Sequence, residues 1–328
     1  MPIGRQEPER GGVTTRVLFI VGPTGVGKTR LAVGLAQRFN GEIINADSRQ
    51  VYRQMDVGTA KPSSEERGQV PHHLLDILDP DQNFDVAAFL SSAHRSIQEI
   101  QGRDHLPVIA GGTGQYVWAL AEGWQVPQVP PDPVFRRLKQ QEAEQHGPLF
   151  VYRQLQNADP ERAALLDPRN VRRVVRALEV HRSGQSSSSG SSGRRQGTPL
   201  LENGLMIGLT MDRQALYRRI DDRVDHMLAS GLLEEVKGLA AGGYRLGQGP
   251  LSSPGYRELG EYLAGELSLE EAVQRTKYQT HRLARRQYTW FKLNDPRIHW
   301  LDAGGPGLES QAALLVQDFL RAGPAVVQ

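Results

Sequence analysis

The chain has 328 residues, 38% of them hydrophobic and 23% charged, with 39 Lys and Arg against 37 Asp and Glu. That length and balance describe an ordinary folded protein of about two domains, or one core with an insertion, and exclude a disordered or fibrous chain. Cysteine is absent, which excludes disulfides, thiolate metal sites, iron–sulfur clusters and cysteine nucleophiles together.

The polar start, "MPIGRQEPERGGVTTR", reads as a flexible N-terminus over residues 1–15 and lacks the apolar stretch of a signal peptide. No apolar run approaches the roughly 18 residues that a membrane span needs, so a cytoplasmic protein without membrane contact is expected. Residues 17–21 (VLFIV) predict a buried strand, and 28–39 the helix it feeds, with Leu31, Leu35 and Phe39 recurring on one face. A second strand over 42–46 ends at Asp47; a helix over 84–101, a strand over 106–110 and a helical return over 111–123 follow. This alternation argues for a parallel α/β sheet. From about 124 the pattern changes to proline-rich turns and then charged helices without strands, up to "NVRRVVRALEVHRSG". The tract 184–197 (GQSSSSGSSGRRQG) is of low complexity and reads as a mobile loop. Residues 205–211 resume the strand pattern. Ser268 with Glu271 has capping-box spacing and opens a long helix through about 288, and 298–302 (IHWLD) is a last strand. With "GPTGVGKT" (22–29) forming a phosphate-loop pattern between the first strand and its helix, the expected architecture is an α/β, P-loop NTPase-like core over 16–123 and 200–328, a parallel sheet flanked by helices, with an inserted all-helical domain over 124–199.

Gly22, Pro23, Thr24, Gly25, Val26, Gly27, Lys28 and Thr29 satisfy the G-x-x-x-x-G-K-[ST] pattern, placed between a predicted strand and a predicted helix. Glycines let backbone N–H groups approach phosphate oxygens, the helix N-terminus adds partial positive charge, Lys28 neutralises terminal phosphates, and the Thr29 hydroxyl is a Mg²⁺ ligand. A diphosphate-binding loop is therefore expected. An ATPase or GTPase would also present a second strand ending in an aspartate near Mg²⁺. Here "LPVIA" runs into "GGTG" with no acid. Asp47, at the C-terminal end of the second predicted strand, stands on the edge where doubly wound sheets bind ligands. On position alone it is a metal ligand, a proton acceptor or a turn cap.

In order, "GPTGVGKT", "NADSRQVYRQMDVGTAKP", "PHHLLDILDP", "VIAGGTGQYVWAL", "RNVRRVVRALEV" and "RRQYTWFK" resemble the bacterial tRNA dimethylallyltransferase family over about residues 17–302. The resemblance implies transfer of the dimethylallyl group from dimethylallyl diphosphate to N6 of the tRNA adenosine on the 3′ side of the anticodon. It implies that the phosphate loop grips the prenyl donor's diphosphate and that Mg²⁺ assists; a monomer is expected, although nothing in the sequence fixes the oligomeric state. Thr24, Lys28, Thr29 and Arg223 match positions that hold the leaving diphosphate, where negative charge builds on the bridging oxygen. Asp47 matches the catalytic aspartate, which accepts a hydrogen bond from N6 and takes its proton; Thr24 and Arg223 complete the catalytic set. The same resemblance places Asp47, Ser48, Arg49, Gln50, Thr113, Arg172, Arg173, Val174, Val175, Arg176, Ser252, Ser253, Pro254, Gly255, Tyr256 and Arg257 at or near the tRNA anticodon stem-loop.

The residues carry some of this independently. Arg169, Arg172, Arg173 and Arg176 fall on one side of a helix, with Val171, Val174, Val175 and Leu178 largely on the other. Between 275 and 292, Arg275, Lys277, Arg282, Arg285, Arg286 and Lys292 occur with no acid among them, interleaved with Tyr278, Tyr288 and Trp290, a composition suited to phosphates and splayed bases. Trp290 and Phe291 individually read as buried aromatics. Asp221-Asp222-Arg223-Val224-Asp225 is formally a DDxxD, but a single copy on a chain with a phosphate loop reads as surface charge. His72-His73 reads as packing or hydrogen bonding rather than a metal site, because adjacent strand residues point to opposite faces. Two departures from the family pattern stand out: Pro254 before Gly255-Tyr256-Arg257, and Thr280-His281-Arg282 where Thr-Arg-Gln is common. A small-molecule P-loop kinase and a free-adenylate prenyltransferase share the core but leave the basic helices without a purpose. A non-catalytic RNA-binding module would not need Lys28, Thr29 and Asp47 together.

Overall fold

The structure is a computed structural model describing residues 16–127, 129–184 and 199–322. The tract 184–197 therefore lies, after Gly184, outside the described residues. The chain divides into two compact units: the described parts of Met1–Phe84, Ser91–Val117 and Leu200–Gln328, and those of Asp85–Leu90 and Trp118–Pro199.

The first unit is built on a six-stranded parallel sheet in the order β3-β2-β4-β1-β5-β6: β1 (Val17–Val21), β2 (Gly41–Asn45), β3 (His72–His73), β4 (Leu106–Ala110), β5 (Gly204–Thr210) and β6 (His299–Asp302). Every residue of β1 is buried, as expected of a central parallel strand covered on both faces. Helix α1 (Lys28–Arg38) follows β1 and α2 (Ser64–Gln69) precedes β3. Leu31, Ala32, Leu35 and Ala36 of α1 join Ile20, Val108 and Ile207 in one apolar cluster. The divisions between the units fall inside α3 (Val86–Gln101) and α4 (Gly114–Ala121).

The second unit contains α5 (Pro133–His146), α6 (Pro148–Ala158), α7 (Pro160–Ala164) and α8 (Val171–Arg182). Three of these start on proline, whose missing N–H costs nothing in a first turn. Asp132, Asp159 and Asn170 cap α5, α7 and α8 through side-chain oxygens. Val151, Leu155, Val174, Val175 and Leu178 form their core.

After β5 the first unit is completed by α9 (Arg213–Ala229), α10 (Leu232–Ala241), α11 (Tyr256–Leu263), α12 (Leu269–Trp290) and α13 (Leu308–Arg321). The capping box of Ser268 and Glu271 opens α12 as the spacing predicts, and the helix runs two residues beyond the predicted end. A further apolar cluster joins Val51, Tyr52 and Met55 to Leu232, Val236, Tyr256, Leu259 and Ala272. It docks the segment after Asp47 onto α10, α11 and α12. The two-residue β3 is too short to carry a periodic signal. His72 Nδ1 lies 2.8 Å from the Val70 carbonyl, and His73 Nε2 lies 2.7 Å from Glu42.

Candidate active site

The phosphate loop leaves β1 through Gly22, whose φ of +138° and approach to β5 admit no side chain: a Cβ would meet the Leu209 carbonyl oxygen at 2.5 Å. The loop ends at Gly27, the N-cap of α1, with φ +103°. Lys28 Nζ donates to the Pro23 carbonyl at 2.8 Å, curling its ammonium over its own loop. Burial pushes Lys28 down to about 8, against the pull of the Asp47 carboxylate and with the push of Arg223. Burial likewise lowers Arg223, with Asp47 opposing and Arg219 adding to the effect. Two cations and one carboxylate thus share a desolvated space, an excess of positive charge that an anion would relieve. Arg223 makes no hydrogen bond or ion pair among the described residues.

Asp47 follows β2 in a turn that fixes its backbone. Its N–H donates to Asn45 Oδ1 at 3.0 Å, its carbonyl accepts from Asn45 Nδ2 at 3.1 Å, and its Oδ1 accepts the Arg49 amide at 2.9 Å. The other carboxylate oxygen accepts no hydrogen bond among the described residues. Next to it, Ser48 N–H donates to Thr113 Oγ1 at 2.9 Å, and Thr113 N–H donates to the Ala46 carbonyl at 3.2 Å.

Part of this set lines a cavity of about 640 Å³, with Thr24 as the phosphate-loop residue in its wall. Of the sequence-predicted residues, Thr24, Asp47, Ser48, Arg49, Thr113, Arg223, Ser252, Ser253, Pro254, Gly255 and Arg257 line it. Ile220, Val224 and Met227 of α9, Leu232 of α10 and Leu283 and Trp290 of α12 supply an apolar wall, and Arg282 and Arg286 add charge. Pro254, one of the family departures, lines the cavity beside Gly255.

Several expectations need correction. Tyr256 is fully buried in the cluster under α10–α12, and its hydroxyl donates to Glu235 at 2.6 Å, so its side chain presents no surface for RNA. Val174 and Val175 are core residues of the helical unit, where hydrophobic burial wins over any contact role. Gln50 spends its amide protons on the Thr59 and Ala60 carbonyls, both at 3.1 Å. Arg176 is not free for phosphate: it donates to Glu179 at 2.5 Å and to the Val129 carbonyl at 2.9 Å. Arg169 is paired with Asp167, whereas Arg172 and Arg173 are exposed. Trp290, read as buried, is 38% exposed; Phe291 is buried. The aspartates read as surface charge include two with partners on α12: Asp221 lies 2.8 Å from His281 Nε2, and Asp225 lies 2.7 Å from Lys277. His281, one of the family departures, also stacks on Tyr217 with centroids 4.1 Å apart.

Other members of the site have no local signal in the sequence. Gln287, inside "RRQYTWFK", bridges Thr24 and Gly112. Glu235 accepts the amides of Asp56, Val57 and Gly58 at 2.7–3.0 Å. Lys61, whose side chain is 1% exposed, donates to the Tyr52 carbonyl, Asp56 and Asp76. Together they hold the loop that puts Gly58 and Thr59 in the cavity wall. A run of polar residues with a "GTAK" turn signals a loop; it does not signal a loop pinned by an acid 177 residues away.

Comparison with known proteins places the chain among relatives of one kind. The IPP transferase family model matches residues 50–294, and the isopentenyl transferase model matches 15–76. The tRNA dimethylallyltransferase of Thermomicrobium roseum is 47% identical over 305 residues, 93% of this chain and 92% of that protein. The tRNA dimethylallyltransferase of Roseiflexus sp. is 45% identical over 93% of this chain and 99% of that protein. Among solved structures, the full-length tRNA isopentenylpyrophosphate transferase from Bacillus halodurans is 39% identical, with a TM-score of 0.68 over 94% of this chain and 98% of that one. A eukaryotic dimethylallyltransferase acting on tRNA is 30% identical, with a TM-score of 0.80 over 96% of this chain and 81% of that one. The chain belongs to the IPP transferase family.

Proposed function

We propose that the chain is a tRNA dimethylallyltransferase that prenylates N6 of the adenosine 3′ to the anticodon, with the cavity of the first unit as its active site. One observation carries the reading: a single cavity holds Asp47 with an oxygen free to accept, beside Thr24 of the phosphate loop and an unpartnered Arg223.

The donor's diphosphate lies on the loop from Gly22 to Thr29, neutralised by Lys28 and Arg223. Both are cations disfavoured by burial, so an anionic ligand restores what desolvation has cost them. As the allylic C–O bond breaks, charge builds on the bridging oxygen, and these fixed cations stabilise it without reorganising. The apolar wall from Ile220, Met227, Leu232, Leu283 and Trp290 receives the five-carbon chain and keeps water from its cationic carbon. Asp47 accepts a hydrogen bond from the adenine amine and takes its proton as the N–C bond forms, so diphosphate leaves and Asp47 carries the proton.

A divalent cation fits the donor set. Thr29 offers a hydroxyl with no hydrogen-bond partner among the described residues, and it stands at the phosphate-loop position whose hydroxyl ligates Mg²⁺. Thr29 would hold it, and the ion would supply further neutralisation of the leaving diphosphate. No helix among the described residues is long and apolar enough to cross a membrane, in keeping with a cytoplasmic enzyme that meets tRNA.

The test gives purified protein labelled dimethylallyl diphosphate and Mg²⁺, and compares transfer to unmodified tRNA with transfer to AMP. Transfer to tRNA alone is expected. Transfer to AMP would make it a free-adenylate prenyltransferase, and ATP hydrolysis without prenyl transfer would make it a P-loop kinase-like enzyme.

A further inference from the structure

We propose that Gln287 is a positioning residue that sets the separation between the phosphate loop and the Asp47 segment; the proposal rests on the reading that these hold donor and base. Gln287 sits on α12 and is 7% exposed. Its Oε1 accepts the Thr24 N–H at 2.7 Å, and its Nε2 donates to the Gly112 carbonyl at 2.9 Å. The chemistry of the two partners fixes the orientation of the amide, because a backbone N–H can only donate and a carbonyl can only accept. The fit leaves no slack: a Cβ at Gly112 would lie 2.2 Å from Gln287 Nε2.

From Gly112 the connection continues to the base. Thr113, the next residue, bonds Ala46 through its N–H and Ser48 through its hydroxyl, so it grips the chain on both sides of Asp47. Gly111 is packed so closely against Ala46 that a Cβ would meet its carbonyl carbon at 2.3 Å. One short path therefore joins the two halves of the reaction: Thr24, Gln287, Gly112, Thr113 and the residues flanking Asp47. Gln287 need not touch either substrate to act. Transfer requires the amine, the allylic carbon and the leaving oxygen to line up, and a misplacement of about 1 Å costs on the order of a hundredfold in rate.

The experiment compares Gln287→Met, which keeps length and removes both bonds, with Gly112→Ala, which displaces the same side chain from the opposite end. Steady-state transfer to tRNA is measured with each substrate varied, well below the unfolding midpoint of each variant. Both variants are expected to lower kcat about ten- to a hundredfold while KM for the diphosphate and for tRNA stays within about threefold. The double variant is expected to lose little more than either single one, since both break one connection. Unchanged kcat in either soluble variant, a rise in donor KM at constant kcat, or additive losses would overturn the proposal. If one variant fails to fold, the other decides by its kcat and KM. Asp47→Ala run alongside separates the two readings: if it transfers as well as the parent, the assignment of the base has failed rather than the role of Gln287.

Discussion

Tyr256 Oη donates to Glu235 Oε1 at 2.6 Å, and the same carboxylate takes three consecutive amides, those of Asp56, Val57 and Gly58. One acid thus terminates a loop, anchors a buried phenol and fixes the wall of the cavity. Burial, and then the Glu235 charge, push the Tyr256 phenol upward, so it stays a donor at any working pH. Glu235→Ala strands four donors, and leaving buried donors unpaired costs about 1–3 kcal/mol each where water cannot replace the acceptor. Tyr256→Phe removes one bond to a charged acceptor and is expected to cost about 1.5–3 kcal/mol. Urea unfolding of the two variants checks the order: Glu235→Ala should be the less stable. Tyr256→Phe should keep the parent's tRNA affinity, because the side chain never reaches the surface.

Asp47→Ala should reduce prenyl transfer by about a hundred- to ten-thousandfold, the usual worth of general-base help. Donor binding should survive, because the phosphate loop and Arg223 do not depend on that carboxylate for their fold. Equilibrium binding of a non-transferable dimethylallyl diphosphate analogue, measured beside turnover, separates the two effects. Equal loss of both would sink the assignment.

Lys28 makes donor affinity depend on pH with a definite sign. Its free-state value of about 8 means that the ammonium is substantially deprotonated by pH 9. Diphosphate favours the charged form and raises the value in the complex, so binding takes up a proton in this range. Affinity should therefore fall as pH rises through 8. Calorimetric titrations at pH 8.5 in buffers of different ionisation enthalpy should register the proton uptake. Lys28→Met should weaken donor binding and abolish the dependence.

At the other end of the sheet, Glu42 is buried on β2 and accepts from Arg103 at 2.9 Å twice, with His73 and His105 each 2.7 Å from one of its oxygens. The Arg103 hydrogen bond, against desolvation and with help from both histidines, holds Glu42 down at about 2 from 4.5. A carboxylate lowered on folding contributes stability that is fully present above its unfolded value and is lost as pH falls toward the folded one. The difference amounts to about 3 kcal/mol. Glu42→Gln should therefore lower stability at pH 7 and flatten the stability profile between pH 4.5 and 2, as read by denaturant midpoints across that range.

What the sequence shows of this fold is what local physics decides. β1 with its all-apolar run, the phosphate loop with its glycines, and α12 with the Ser268 capping box are legible because their causes lie within a few residues of one another. Apolar periodicity had already put Val174 and Val175 on the inner side of α8, and the structure sides with periodicity over their assignment to RNA. The contributions of Gln287, Glu235 and Lys61 are illegible, since a buried polar residue on a charged helix looks like a solvated one until its partner is known. Gln287 meets Thr24 across 263 positions, and Glu235 meets Gly58 across 177. No period or spacing encodes such pairs.

The basic face of α12 is also smaller than its composition. Arg275 is tied to Glu261 and Lys277 to Asp225, leaving Arg282, Arg285 and Arg286 exposed and without anionic partners among the described residues, and of these Arg282 and Arg286 line the cavity. Phosphate contacts release counterions, so each one lost lowers the slope of log affinity against log salt by about 0.7–0.9. Arg282→Ala and Arg286→Ala should each weaken tRNA binding and reduce that slope by about one such step, and exposed Arg172 and Arg173 of α8 should do the same if that helix meets RNA. Arg275→Ala should change the slope little. Arg176→Ala should act differently again: it takes a donor from Glu179, a side chain only 3% exposed, and so should destabilise the helical unit with little effect on the salt slope. Filter-binding titrations across salt, paired with thermal unfolding, separate residues that bind phosphate from residues that only look as though they could.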